Sequence, residues 1–163
     1  MQTPVMQRPG ALLGAVALIS IAALAAALVS QHVFGMEPCP WCVLQRLIFV
    51  AIALACGLGL LWRAVAGRVV AALLVLGLSL SGVASALWLH FVASKSQSCN
   101  LTLADRIIVA LRLDTLLADV FSPRASCADA AVDLLGLPYT FWSLGLFVLF
   151  AAAAVKLLMP GRR

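Results

Sequence analysis

Charge is what this sequence has least of. Only 10% of its 163 residues are Asp, Glu, Lys or Arg, while 64% are hydrophobic, and the mean hydropathy is +1.12. Soluble domains carry about 25% charged and about 45–50% apolar residues. A water-soluble fold of this size could not hide so much apolar surface, so lipid must be the solvent for much of it. Acid is scarcer than base, at six residues against 11, for a net charge of +5. None of the six acids falls in a long apolar run, so no ion path is visible and a thiolate metal transporter is disfavoured. No basic stripe with interleaved aromatics is present either, which excludes a nucleic-acid partner.

What fills the chain instead is four long runs of Leu, Ala, Val, Ile and Gly, at about 11–33, 42–62, 69–92 and 139–159. A bilayer core about 30 Å thick needs about 20 apolar residues in a helix. The backbone must satisfy its own hydrogen bonds there, so these runs read as transmembrane helices. The first is longer than the apolar part of a signal peptide and is expected to be retained. The fold class is therefore an all-α membrane protein, a four-transmembrane-helix bundle forming one integral membrane domain over 1–163. The aromatics Trp41, Trp62, Trp88, Tyr139 and Trp142 fall near span ends and suit an interfacial belt.

Charge placement orients the bundle. Arg8, Arg63, Arg68, Lys156, Arg162 and Arg163 flank the spans on one side with no acid among them. Glu37, Asp105, Asp114, Asp119, Asp129 and Asp133 all lie in the other connections. Basic residues near span ends stay in the cytoplasm. Both termini are then cytoplasmic, and the loops at about 34–41 and 93–138 face outward.

This topology sorts the five cysteines. Cys39 and Cys42 sit in the first outer loop at the mouth of the second span, Cys99 and Cys127 in the second outer loop, and Cys56 inside the second span. Disulfides persist on the oxidising side of a membrane, so the outer four form two potential pairs. Cys56 reads as a small core hydrophobe. Cys39-Pro40-Trp41-Cys42 is a C-x-x-C motif, a spacing that closes a small disulfide ring and lowers a thiol pKa. Its second cysteine starts a helix, where free N–H groups favour an anion. Arg46 follows one turn deeper on the same face. A cation at that depth either snorkels to the headgroups or has a partner, such as the Cys42 thiolate or a polarised ligand oxygen. Gln45 adds a second polar group at that level. A zinc site would need Cys99 and Cys127 or a histidine to complete it, and there is no second C-x-x-C.

The second outer loop is too long for a passive connection. Within it, 101–121 reads as a short interfacial helix, with Leu103, Ile107, Ala110, Leu113 and Leu117 on one face. Asp114 intrudes on that face, so a break is expected near Arg112–Thr115. His32 and His90 lie near the outer ends of the first and third spans, and His90 is the better candidate for ligand contact.

With these residues assembled, the chain closely resembles the bacterial disulfide bond formation protein B family, DsbB. The resemblance rests on four spans, termini inside, the string Pro38 to Arg46 (P-C-P-W-C-V-L-Q-R) and a second cysteine pair in the long loop. It implies an inner-membrane oxidoreductase that reoxidises a periplasmic DsbA-like thioredoxin-fold oxidase and passes the electrons to a membrane quinone, ubiquinone or menaquinone. It further implies that Cys99 forms the mixed disulfide with the partner and that Cys127 passes electrons to Cys39. Cys42 would face the quinone, with Arg46 holding its oxygen and His90 nearby, and no metal or flavin would be required. A vitamin K epoxide reductase-like quinone reductase is the nearest alternative, but there the C-x-x-C follows the loop pair instead of preceding it. A non-enzymatic membrane scaffold with structural disulfides is the other, and it leaves Arg46 beneath Cys42 without a purpose.

Overall fold

The computed structural model describes residues 9–62, 64–95, 102–129, 133–134 and 136–159. Arg8, Arg63, Cys99, Arg162 and Arg163 lie outside the described residues. Four long helices carry the fold: α1 (Pro9–Phe34), α2 (Pro40–Leu61), α3 (Val65–Phe91) and α7 (Tyr139–Leu158). Even the shortest, 20 residues, reaches about 30 Å at about 1.5 Å per residue, enough to cross the hydrocarbon. The four expected spans are thus present, and each is apolar enough to cross a membrane.

Their ends have local causes. Pro40 occupies the start of α2, where its missing N–H costs nothing. Gly35, at φ 64°, turns the chain after α1 so that the Met36 N–H reaches Ser30 O at 3.1 Å. The link between α2 and α3 is shorter than expected, because α3 already begins at Val65 and takes Arg68 into its first turns. The bare Cα of Gly67 permits this: a Cβ there would lie 2.5 Å from the Trp62 carbonyl and 2.6 Å from its ring.

The helices pack α1 on α2, α2 on α3 and α3 on α7, while α7 and α1 barely meet. The ring of helices is therefore loose on one side. Large apolar side chains point outward, including Leu18, Leu54, Leu58, Leu80 and Leu149, as expected where lipid is the solvent. Lipid offers no hydrophobic drive between helices, so close packing of small residues must hold them together. Gly59 faces Ala71, and Gly82 faces the ring of Phe147. Phe147 stacks in turn on Phe49, ring centroids 4.5 Å apart, and Phe150 meets Phe49 edge-on.

The loop that follows α3 is built of three short pieces in place of one interfacial helix: α4 (Leu103–Ala110), α5 (Leu113–Leu116) and α6 (Ala118–Phe121). Thr102 and Asp105 form a capping box that starts α4. The expected break occurs at Arg112, which takes the left-handed conformation at φ 52°, and a second follows at Leu117. The face buried in the protein is a different one from the stripe expected on the membrane. Ala104 and Ile108 are buried, Ile108 against Val43 and Phe121, while Leu103 and Leu117 are exposed. The segment packs on the mouth of α2 with one stripe and leaves a second apolar stripe free. A two-residue antiparallel pairing, β1 (Asp133–Leu134) with β2 (Leu137–Pro138), leads into α7. One aromatic leaves the expected belt: Trp41 is buried beside Trp88, ring centroids 6.3 Å apart, while Trp62, Trp88 and Trp142 remain exposed.

Candidate functional site: a thiol cluster beside a buried guanidinium

Cys39 is the N-cap of α2, and its Sγ accepts the Cys42 N–H at 3.3 Å. A cap side chain bonds the amide two or three residues on, so the C-x-x-C spacing is also the spacing of a helix start. Cys39 is fully buried, and its thiol lies within hydrogen-bonding reach of both Cys127 and Cys42. The long loop is stitched into place to allow this. The N–H groups of Arg124 and Ala125 donate to the Pro38 carbonyl at 3.0 and 3.4 Å, which fixes the chain three residues before Cys127 against the residue before Cys39. The four described cysteines, 39, 42, 56 and 127, are thiols here.

The thiols outside the spans are electrostatically unequal. Hydrogen bonding to Cys127 and then to Cys42, together with burial, pushes the Cys39 thiol far up. Cys127 is held below the usual thiol range, first by its hydrogen bond from Cys39 and also by the backbone N–H of Trp41, against an opposing burial cost. That N–H belongs to the first turn of α2, where amides have no intrahelical partner. The same helix start thus serves both Cys39 and Cys127. In this arrangement Cys127 is the better thiolate and Cys39 the thiol it faces.

Arg46 is buried and fully oriented. Its Nη1 donates to Gln31 Oε1 at 2.6 Å and to the Val120 carbonyl at 3.0 Å, and its Nη2 donates to the Ala27 carbonyl at 3.2 Å. Gln31, also buried, donates from Nε2 to the Asp119 carbonyl at 3.1 Å. Helix α1, helix α2 and the loop segment α6 therefore meet on one guanidinium. A guanidinium has five N–H groups, and these bonds leave the Nε hydrogen and one Nη2 hydrogen without an acceptor among the described residues.

Arg46 and Cys42 line a cavity of about 300 Å³ in the gap between α1 and α7. Ala23, Ala26 and Ala27 form one wall, Phe49 and Leu146 the deep end, and Tyr139, Ser143 and Gln45 the polar edge. Tyr139 and Ser30 line the cavity from opposite sides of the gap. Ser143 Oγ donates to Gln45 Oε1 at 2.6 Å, while Gln45 Nε2 is buried with no partner among the described residues. An apolar slot with a few convergent donors is the usual form of a small-molecule site.

Comparison with known proteins agrees with this geometry. A model of the family "Disulfide bond formation protein DsbB" matches residues 9–157. A disulfide bond formation protein B of Herminiimonas arsenicoxydans is 35% identical over 147 residues, covering 90% of this chain and 92% of that one. Disulfide bond formation protein B 1 of Pseudomonas aeruginosa PAO1 is 32% identical over 142 residues, 85% of this chain and 87% of that one. A disulfide bond formation protein B of Burkholderia pseudomallei K96243 is 32% identical over 155 residues, 94% and 92% of the two chains.

The chain belongs to the DsbB family. It is a membrane-spanning oxidoreductase of disulfide bond formation. Within this DsbB chain the structure brings together Cys39, Cys42, Cys127 and Arg46, four of the residues singled out by sequence. Cys99 lies outside the described residues. His90 is not among the residues lining the cavity; its ring packs on Phe91 and Phe141, with centroids 5.0 and 4.8 Å away. Cys56 is buried in the helix core, far along α2 from the cluster. Sequence reasoning missed Gln31, Tyr139 and Ser143. Gln31 carried one signal, an amide at the end of an apolar run, but attention went to its neighbour His32, which is exposed. Tyr139 and Ser143 lie one helical turn apart and so share a face, a pattern visible only once α7 is known to face α1.

Proposed function

We propose that this chain regenerates the disulfide of a periplasmic DsbA-like thioredoxin-fold oxidase and delivers the electrons to a membrane quinone. The observation that carries this reading is that one buried thiol, Cys39, reaches both the loop thiol Cys127 and the cavity thiol Cys42. The charge bias of the loops supports placing the thiols on the periplasmic side of a bacterial inner membrane.

The exchange steps balance. The partner's thiolate attacks Cys99 and breaks the Cys99–Cys127 bond; its second thiolate then closes the partner's own disulfide and frees Cys99. The Cys127 thiolate attacks Cys39 and breaks the Cys39–Cys42 bond, releasing a thiolate at Cys42. Cys99 then attacks Cys127, restoring the loop disulfide and leaving Cys39 reduced, so two electrons have moved inward. Exchange is fastest from a thiol ionised near ambient pH; once Cys39 is in the disulfide it has no S–H to give, and the Trp41 N–H is the donor left to favour the Cys127 thiolate. The thiolate left at Cys42 sits in the first turn of α2, one turn from Arg46, where helix amides and the guanidinium stabilise it.

The cavity fits a quinone as final acceptor. It is apolar, opens through the α1–α7 gap that faces lipid, and offers the unpaired Gln45 Nε2 and the spare N–H groups of Arg46 to a carbonyl oxygen. When bound, a quinone supplies a two-electron, two-proton sink. Arg46 and Gln45 would hold its carbonyl oxygen, while the alanine wall and Phe49 would exclude water.

The experiment is to follow quinone absorbance with purified protein, a reduced DsbA-like partner, and a soluble ubiquinone or menaquinone analogue. Quinone loss that requires both the partner and Cys42, and vanishes in Cys42→Ser, is expected. No loss with either analogue from folded protein would favour a scaffold with structural disulfides.

A further inference from the structure

Gln31 is placed where the helix bundle meets the long outer loop, and it shares that junction with Arg46. Its Oε1 accepts the Arg46 Nη1 at 2.6 Å, and its Nε2 donates to the Asp119 carbonyl at 3.1 Å. Arg46 uses its second Nη1 hydrogen on the adjacent Val120 carbonyl at 3.0 Å. Gln31, Arg46 and the Asp119–Val120 backbone thus close a ring of three hydrogen bonds. One member of that ring lines the cavity, and another belongs to the loop that carries Cys127 seven residues further on. Both side chains are buried: Gln31 is 7% and Arg46 6% exposed.

We propose that Gln31 is a positioning residue that locks the Arg46 guanidinium toward the cavity and latches the Asp119–Val120 segment to it, so that acceptor binding and loop position share one hydrogen-bonded joint. The quinone half of this inference rests on the function proposed above.

The chemistry favours such a device. An unanchored Arg has several rotamers to choose from. One held by an amide oxygen and two carbonyls presents its remaining N–H groups in a fixed plane, and preorganised donors lose little entropy on binding. The amide of Gln31 is suited to the joint because it accepts from the cation and donates to the carbonyl at once. A carboxylate there could accept but not donate, and a hydroxyl would be too short.

Gln31→Met tests the idea, since it keeps the side-chain length and removes both hydrogen bonds. Losing a hydrogen bond to a charged group corresponds to about tenfold in an equilibrium constant. The KM for a soluble ubiquinone analogue is therefore expected to rise about tenfold while kcat at saturating quinone stays close to wild type. The same substitution in an Arg46→Ala background should add nothing further, because the residue acts through Arg46. Amide hydrogen exchange over 113–122, measured on the full chain without quinone, should accelerate equally in Gln31→Met, Arg46→Ala and the double variant. An unchanged KM, or effects that add in the double variant, overturns the proposal. If the wild-type protein reduces no quinone, the function proposed above fails by itself. The exchange measurement then decides for Gln31: equal, non-additive acceleration upholds the latch, and unaltered or additive exchange removes it.

Discussion

Gly82 faces the aromatic stack that backs the cavity, and adding one methyl there is a severe test of how tightly the bundle is packed. A Cβ at Gly82 would stand 2.6 Å from Cγ and Cδ1 of Phe147 and 2.7 Å from Cε1. Carbon atoms rest at about 3.5–4.0 Å, so the ring must move by roughly 1 Å. It has no room to do so freely. Phe147 is fully buried and stacked on Phe49 at 4.5 Å with an interplanar angle of 16°, and Phe49 is a cavity residue. Overpacking of this kind costs about 1–3 kcal/mol. Gly82→Ala is expected to lose that much in a denaturant titration in mixed micelles. It should also weaken quinone binding, because the displaced Phe49 shrinks the deep end of the cavity. The double variant Gly82→Ala with Phe147→Leu should recover most of the stability by making room. Stability within about 0.5 kcal/mol of wild type for Gly82→Ala alone, the range of ordinary surface changes, would refute the claim that α3 and α7 meet through this glycine.

Three further outcomes are expected. In the fully reduced protein, alkylation of Cys127 should reach half its maximal rate below pH about 8.5, the ordinary thiol value, because hydrogen bonds from Cys39 and the Trp41 amide hold its pKa down. Cys39 should stay unreactive well above that pH, and a reversed order, read by mass spectrometry of labelled peptides, would contradict the arrangement. Gln45→Leu removes a buried donor that has no partner among the described residues. An unpaired donor costs about 1–3 kcal/mol, so the fold should hold its stability while KM for quinone rises about fivefold or more; a KM equal to wild type would take Gln45 out of the acceptor site. Cys56→Ala should leave turnover unchanged, since Cys56 is packed in the core away from the thiol cluster, and a large fall in kcat in folded protein would show a role the geometry does not contain.

Sequence alone determined the solvent of this protein and the order of its parts. Hydropathy over a window of one span decides which segments cross lipid, because every residue of such a helix needs an apolar or self-satisfied environment. The four helices accordingly lie within a few residues of where composition puts them. The helix start at Pro40 is equally local: a C-x-x-C whose first member caps and whose second joins the first turn needs nothing from the rest of the chain, and Arg46 one turn on follows from helical geometry. The loop segment was only half legible. Periodicity marked Leu103 and Leu117 as a stripe lying on the membrane, and both stay outside the protein core. It did not mark Ala104 and Ile108, which the docking of α4 on α2 buries, and the left-handed Arg112 cut the helix short.

What only the tertiary structure decided is which distant groups share the site. Gln31 and Arg46 are 15 residues apart, Arg46 and Val120 are 74 apart, and Gln45 and Ser143 are 98 apart. No local pattern links such pairs, because each polar side chain in an apolar span is equally costly wherever its partner comes from. The bundle leaves α1 and α7 apart, and that gap creates the cavity, while the loop's hydrogen bonds to the Pro38 carbonyl set Cys127 beside Cys39. Hydropathy reports the cost of burying each group, and only packing reports who meets it.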